Sequence, residues 1–380
     1  MIEHSSGSAA SRPVTVVGGS VTGLYAGMLL ARGGRAVTLL EGASHWAPEP
    51  RTLIVTRRMR DLLGKSGDRS VVNIINRFEL MTNGRVATVP LSEPDLVVER
   101  SVLHEGLVEQ ALAAGVKLRM GCRVRTLRGT HDGVALEVGR SGKPEELNAT
   151  TVIGADGTFS RVAHAAGWPA PQTVPLVQAI VRLPQDLPPD TTRVWFQPDD
   201  TPYFYWLIPE SPTQGALGLI GEEGSDTRQY LEQFLERHHL EPLEFQAARI
   251  PRYTKWLQPL RRLGGADIYL VGDAAAHVKV TTVGGIVTGF RGALGVAETI
   301  LQGRSSGVLR GLRWELDWHR FVRRTLGHFS QSDYEVLLDV LNPEVLDILG
   351  THTRDEAGRI LVRLCLAQPR LISLALRSLI

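Results

Sequence analysis

The sequence predicts an α/β fold: a parallel-sheet domain assembled from separated stretches of chain, an inserted antiparallel sheet and a helical C-terminal region. Three observations carry this. Residues 13–40 read as strand, Gly-rich turn, helix and strand, the unit that builds a parallel sheet. Residues 174–222 hold short strands separated by Pro-rich turns, the pattern of an antiparallel sheet. Strand 267–271 then returns to the first pattern, ahead of a mostly helical stretch over 285–380.

Taken in order, PVTVV at 13–17 is a short apolar strand. The helix-like run Val21 to Arg32 is closed by Gly33-Gly34 as a C-cap. The next strand, 36–40, ends on Glu41. Residues 72–90 alternate and turn at Asn83-Gly84, a hairpin signal. Helix 101–115 leads into strand 116–120, and a second hairpin region spans 122–148 with His131-Asp132-Gly133 at its turn. Strand 151–154 enters Gly154-Ala155-Asp156-Gly157. In the antiparallel block the strands are VQAIVRL, TRVWFQ, YFYWLI and ALGLIG, closed by helix 226–238 and a short strand to Pro251. The parallel-sheet domain is therefore discontinuous, over 12–70, 97–165 and 263–305. The β block takes 71–96 and 166–262, and 306–380 is the helical region.

Bulk properties narrow the partners. A chain of 380 residues, 43% hydrophobic and 22% charged, suits one large domain with a smaller companion. Net charge is +2, which implies no polyanion, and no aromatic-plus-basic nucleic-acid patch appears. Two cysteines, Cys122 and Cys365, cannot build a disulfide framework, so a reducing cytoplasm is expected. The Ser-rich first twelve residues lack an apolar core and read as a loose tail. The eleven histidines show no metal-ligand spacing, so no metal is expected.

The first chemical motif is Gly18-Gly19-Ser20-Val21-Thr22-Gly23, a G-x-G-x-x-G fingerprint with Ser20 at the second glycine. A tight turn suits Gly18, and a pyrophosphate must approach backbone N–H groups at the helix start, near Ser20, Val21 and Thr22. Gly23 lets the helix pack close to the sheet. Glu41, eighteen residues past Gly23, can accept from ribose hydroxyls. Two further strand ends carry acids, Asp156 in GADG and Asp273 after Gly272. An Asp there can accept from a ribityl hydroxyl. The glycines of Val283-Gly284-Gly285-Ile286 can bring N–H groups to a flavin pyrimidine. A plain Gly-rich or Asp-Gly turn is the alternative at each motif alone.

In this order, GGSVTG, Glu41, GADG and GDAA resemble the FAD-binding superfamily of aromatic hydroxylases and geranylgeranyl reductases. The resemblance implies a Rossmann-like domain holding FAD, with Arg100 reaching the cofactor and backbone at Val124 beside the adenine. The stretch 272–293, GDAAAHVKVTTVGGIVTGFRGA, is similar to the reductase form GDAAGxVxPxTGGGI, and Phe204 to Pro209 to its Tyr-x-Trp-x-Phe-Pro segment. Ala276, Val280 and Val283 replace a Gly, a Pro and a Gly of that pattern. Where reductases carry Cys-Gly-Gly, this chain reads Glu49-Pro50-Arg51-Thr52-Leu53.

The resemblance implies hydride transfer from reduced FAD to a carbon–carbon double bond of an apolar isoprenoid or polyene. A monooxygenase acting on an aromatic or polyketide, a non-redox cyclase on an FAD scaffold and a binding protein without chemistry are the competitors. No second nucleotide fingerprint is present, so electrons would come from transient NAD(P)H or from a protein donor. Phe204, Trp206 and Trp195 are candidate substrate walls, against ordinary sheet packing. Alternation puts Phe204 and Trp206 on one face, Tyr203 and Tyr205 on the other. The proton would come from solvent or a Tyr such as Tyr205, His277 is a candidate donor or a structural hydrogen-bond partner, and Arg51 a ligand of ribityl or pyrophosphate or a surface ion pair. The apolar, Arg-spaced tail 358–380 either covers the core or touches a membrane surface.

Overall fold

The computed structural model describes residues 12–46, 51–140, 143–185 and 187–377. The N-terminal tail and Glu49-Pro50, which enter the sequence reading, lie outside them. One sheet has six strands in the order 260–263, 266–270, 151–154, 14–17, 37–40 and 117–119. All its pairs are parallel except the edge hairpin of Leu260–Leu263 with Ala266–Leu270. Alternate residues of its central strands serve two cores, since side chains alternate across a strand. Val14, Val16, Leu39 and Ile153 meet the helices Val21–Arg32 and Ile286–Gln302. Val17, Leu40, Val152 and Ile268 meet a three-stranded meander, 122–129, 134–140 and 143–149. Both faces are covered, which is why these strands are apolar throughout. The two helices lock through Tyr25 and Phe290, with ring centroids 4.9 Å apart.

The second sheet has eight strands, ordered 242–252, 172–182, 214–220, 205–209, 191–195, 71–82, 85–99 and 52–55. It is antiparallel except where Thr191–Trp195 runs parallel to Val71–Thr82. The hairpin turns at Asn83 (φ 41°) and Gly84 (φ 78°), the left-handed pair that a two-residue turn requires. Two edges depart from the sequence reading. Thr52–Val55 joins this sheet rather than the parallel one, and Leu260–Leu263 joins the parallel sheet. One face of the eight-stranded sheet packs under helix Thr227–Arg237, and the other looks toward the nucleotide half.

Five helices follow: Gly307–Leu326, Gln331–Asp339, Pro343–Thr351, Ala357–Ala367 and Arg370–Arg377. Their starts are written in the sequence. Ser330 and Asp333 form a reciprocal capping box, and Asn342 caps a helix with Pro343 in its first turn. No helix among the described residues is long and apolar enough to cross a membrane.

Candidate active site

The turn after strand Val14–Val17 is set by space as much as by dihedral preference. Gly18 has φ +102°, and a Cβ there would stand 2.5 Å from the Ala155 carbonyl oxygen. A Cβ on Gly23 would overlap the Gly18 carbonyl oxygen. Ser20 caps the helix by accepting from the Gly23 N–H at 3.1 Å and donates to the Ala155 carbonyl at 3.1 Å. Its hydroxyl proton is therefore committed to the protein, and only backbone N–H groups of this turn are left for phosphate. Glu41 accepts from the Gly19 N–H at 2.7 Å and from the Ala43 N–H at 2.8 Å, which fixes the carboxylate at the corner after the second strand.

Two residues that the motif reading missed brace this corner. His104 shares a 2.7 Å hydrogen bond with the Gly19 carbonyl, and burial lowers its pKa, so the neutral ring donates from Nε2. Trp46 lies against Gly19 and edges His104 at 4.8 Å. Neither carries a sequence signal beyond being aromatic.

From Ser20 a cleft of about 820 Å³ runs to the second sheet. Ser20, Val21, Thr22, Arg51, Arg100, Asp273, Val283, Gly285 and Ile286 all line it. Asp273 is partly buried in the cleft wall. Burial pushes its carboxyl up, against the pull of Arg100 and Arg51. Gly272 stands behind it at φ +63° against Thr22. Helix Ile286–Gln302 starts at the cleft with no side chain capping its first turn, so its N–H groups and dipole face whatever anion lies there.

A second cavity, of about 370 Å³, lies beyond the same loop. Val283, Gly285 and Ile286 line both spaces. Its walls are mostly apolar, with Phe78, Val89, Leu176, Val194, Phe196, Phe204, Trp206 and Ile208 from the sheet and Leu326, Tyr334 and Leu349 from the C-terminal helices. Polar side chains enter at Thr192, Gln178, Lys279, Thr282 and Arg354. Lys279 is ion-paired with Asp355, which also accepts from Thr56, and Arg354 reaches Asp95 at 2.5 Å. Burial would raise the Asp355 carboxyl, but Lys279, Thr56 and Arg58 outweigh it and hold it below the usual range.

Several predicted residues stand elsewhere. Trp195 and Tyr205 face each other across neighbouring strands, so both project to the face under helix Thr227–Arg237, against Phe234. Neither lines the cavity. Tyr205 donates to Asp200 at 2.9 Å, and burial, reinforced by Asp200, raises its pKa, the wrong direction for a proton donor. Trp206, opposite Val194, takes the cavity face, as alternation predicts. Tyr203 does not follow that alternation because the strand begins at Tyr205. It packs with Trp206 and Ile220 instead. His277 is buried beneath helix Ile286–Gln302 against Gly292, stacked 5.6 Å from Trp256, and lines neither space. Burial lowers its pKa to about 4. Asp156 turns its carboxylate onto Ser160 and the N–H groups of Arg161 and Val162, capping a helix, while Ala155 and Gly157 line the cleft. Val124 is buried in the core under the meander, although its strand meets the Glu41 corner through the Cys122 N–H.

Ala276 and Val283, which replace glycines of the reductase pattern, both keep a left-handed backbone, at φ 52° each. For a β-branched residue this is strained by roughly 1–3 kcal/mol.

Comparison with known proteins agrees with this architecture. The chain is 24% identical over 395 residues to a digeranylgeranylglycerophospholipid reductase of Methanococcus vannielii, covering 95% of this chain and 97% of that one. A geranylgeranyl bacteriochlorophyll reductase-like protein of Thermoplasma acidophilum has the same fold, with TM-score 0.81 at 17% identity over 97% of this chain and 99% of that one. A p-nitrophenol 4-monooxygenase of Pseudomonas putida shares the fold more distantly, with TM-score 0.64 at 17% identity over 97% and 96%. The FAD binding domain model matches residues 11–303, more than half of the molecule, and the chain therefore belongs to the FAD binding domain family.

Proposed function

We propose that this protein is an FAD-dependent oxidoreductase that reduces carbon–carbon double bonds of an apolar isoprenoid or polyene. The observation that carries the reading is the apolar cavity that meets the cofactor cleft at Val283 and Gly285. Similarity to the Methanococcus vannielii reductase along nearly the whole chain supports it. The residues present fit FAD: a turn with no room for a Cβ at Gly18 or Gly23, an acid at Glu41, Asp273 in the cleft wall and an uncapped helix start at Ile286. Bound there, FAD supplies hydride chemistry.

The chain's share is placement and field. Gly18, Val21, Thr22 and Gly23 form the pyrophosphate turn. Arg51 and Arg100 supply positive charge along the cleft, and Glu41 and Asp273 accept from ribose and ribityl hydroxyls. Ala155 and Gly157, on either side of Asp156, line the cleft, and the strand of Val124, joined to the Glu41 corner, presents backbone beside the adenine. The start of helix Ile286–Gln302 stabilises negative charge on the reduced ring. Phe204 and Trp206 hold the substrate and exclude water. NAD(P)H or a protein partner supplies the electrons.

The test is a product mass. Purified protein is reduced without oxygen and offered prenyl lipids and polyenes. A gain of two hydrogens is expected. A gain of one oxygen, seen only with NAD(P)H and air, would move the assignment to the monooxygenases whose fold it shares. The tail adds a membrane contact to the proposal. Leu366 is 79% exposed and Leu376 56%, on short helices that also carry Arg359, Arg363, Arg370 and Arg377. Binding to anionic vesicles that Leu366→Glu abolishes is the expected result.

A further inference from the structure

Among the described residues, six line both the cofactor cleft and the apolar cavity: Leu53, Leu176, Gln178, Val283, Gly285 and Ile286. Gln178 is the one with a polar side chain. It stands in the middle of strand Gln172–Arg182 and is 3% exposed. An apolar residue would complete both walls, and an amide buried there without partners costs stability. The surrounding sheet is built to hold it. Gly218 lies between Gln178 and Trp206 in the strand register. A Cβ on Gly218 would stand 2.7 Å from the Gln178 Cβ and 2.5 Å from the Trp206 ring, so stem and indole close over the same backbone. On its other side Gln178 faces Gln246, which shares a strand face with Glu244.

These side chains form a row with a direction. Gln178 Nε2 donates to Gln246 Oε1 at 2.8 Å, and Gln246 Nε2 donates to Glu244 Oε1 at 3.1 Å. An amide can be turned end for end, but a carboxylate only accepts. Glu244 is exposed at the outer end of the row, and it sets both amides. Gln178 must then present its Oε1 where cleft and cavity meet. That oxygen accepts no hydrogen bond among the described residues. It also keeps open surface, unlike the sealed Thr192 and Thr282 hydroxyls of the cavity wall.

An open acceptor calls for a donor, and a hydrocarbon offers none. Hydride passes from cleft to cavity, so the flavin nitrogen that gives it up must reach this meeting place. When the ring is oxidised that nitrogen has a lone pair, which an oxygen beside it repels. When the ring is reduced the nitrogen carries N–H, which the same oxygen accepts. We propose that Gln178 Oε1 receives the N–H that the flavin gains on reduction, and that Gln246 and Glu244 are positioning residues that fix its direction. The inference rests on the FAD-dependent reading and adds to it a side chain that favours the reduced cofactor. A ring that is easier to reduce suits a chain with no second nucleotide fingerprint, whose electron donor binds only in passing.

The experiment is a redox titration of the full chain with FAD, followed by absorbance without oxygen. Gln178→Leu removes the acceptor and suits a strand. It should weaken reduced FAD about tenfold relative to oxidised FAD. For a two-electron couple that is a fall in midpoint potential of about 30 mV, and oxidised FAD should bind at least as tightly as before. Glu244→Gln, at an exposed position, tests the direction. Loss of a negative charge by itself raises the potential, whereas a row free to turn should lower it by part of the Gln178→Leu shift. In the Gln178→Leu background that lowering should vanish. A Gln178→Leu potential that is unchanged or raised overturns the inference while the FAD-dependent reading stands. So does a Glu244→Gln potential that rises equally in both backgrounds. A protein that holds no flavin overturns both.

Discussion

The turn at Gly18–Gly23 and the loop at Ala276–Gly285 both leave a strand of the parallel sheet and open a helix that faces the cleft. They meet that task differently. In the turn, a Cβ at Gly18 or Gly23 would strike backbone. In the loop, Ala276 and Val283 hold left-handed dihedrals at φ 52° with side chains in place. Lack of space is absolute, because a backbone atom cannot move aside. An unfavourable dihedral costs a few kcal/mol at most and can be offset elsewhere. The Lys279–Asp355 pair fastens the loop to the C-terminal region.

The sharpest way to break the contrast is Gly23→Val. Its side chain must enter the Gly18 carbonyl, so the purified protein should lose bound flavin altogether, read from its visible absorbance. Next is the fastening of the loop. Asp355→Leu leaves Lys279 charged and unpaired in the interior and should cost about 3–5 kcal/mol by denaturant unfolding. The double variant Lys279→Met/Asp355→Leu should recover most of that.

Acid offers a graded version. His277 in the loop and His319, which bonds Thr281 at 2.7 Å, are buried neutral, with pKa values lowered by burial to about 4 and about 3. Their unfolded value is about 6.5. The folded protein therefore resists protonation that the unfolded chain accepts. Stability is whole above about pH 6.5 and falls as pH drops toward 4 and 3, by up to about 1.4 kcal/mol per pH unit for each histidine. Melting temperature against pH should show this slope, and His319→Gln should flatten it. The smallest effects test strain itself. Val283→Gly should stabilise by about 1 kcal/mol, the strain relieved less the flexibility gained by the unfolded chain, and Ala276→Gly by less. A loss of stability at both would show that the loop is not strained.

What was legible in the sequence follows the same division. Helix Val21–Arg32 and the hairpin at Asn83-Gly84 appear where the residues put them, because glycine and periodicity are local signals. Phe204 and Trp206 line the cavity. Trp195 fails because its face is set by pairing with Tyr205, a register that no local pattern displays. His277 fails because the chain reverses at Ala276, whose left-handed turn the residue type conceals. Lys279 escaped notice because its meaning depends on Asp355, 76 residues on.

The cavity wall has one more consequence. The family match ends at residue 303, yet Arg323, Leu326, Tyr334, Leu349 and Arg354 complete the chamber from beyond it. The chamber is thus closed from two directions along the chain, and a few helix faces near the carboxyl end can be redesigned without touching the stretch that holds the flavin.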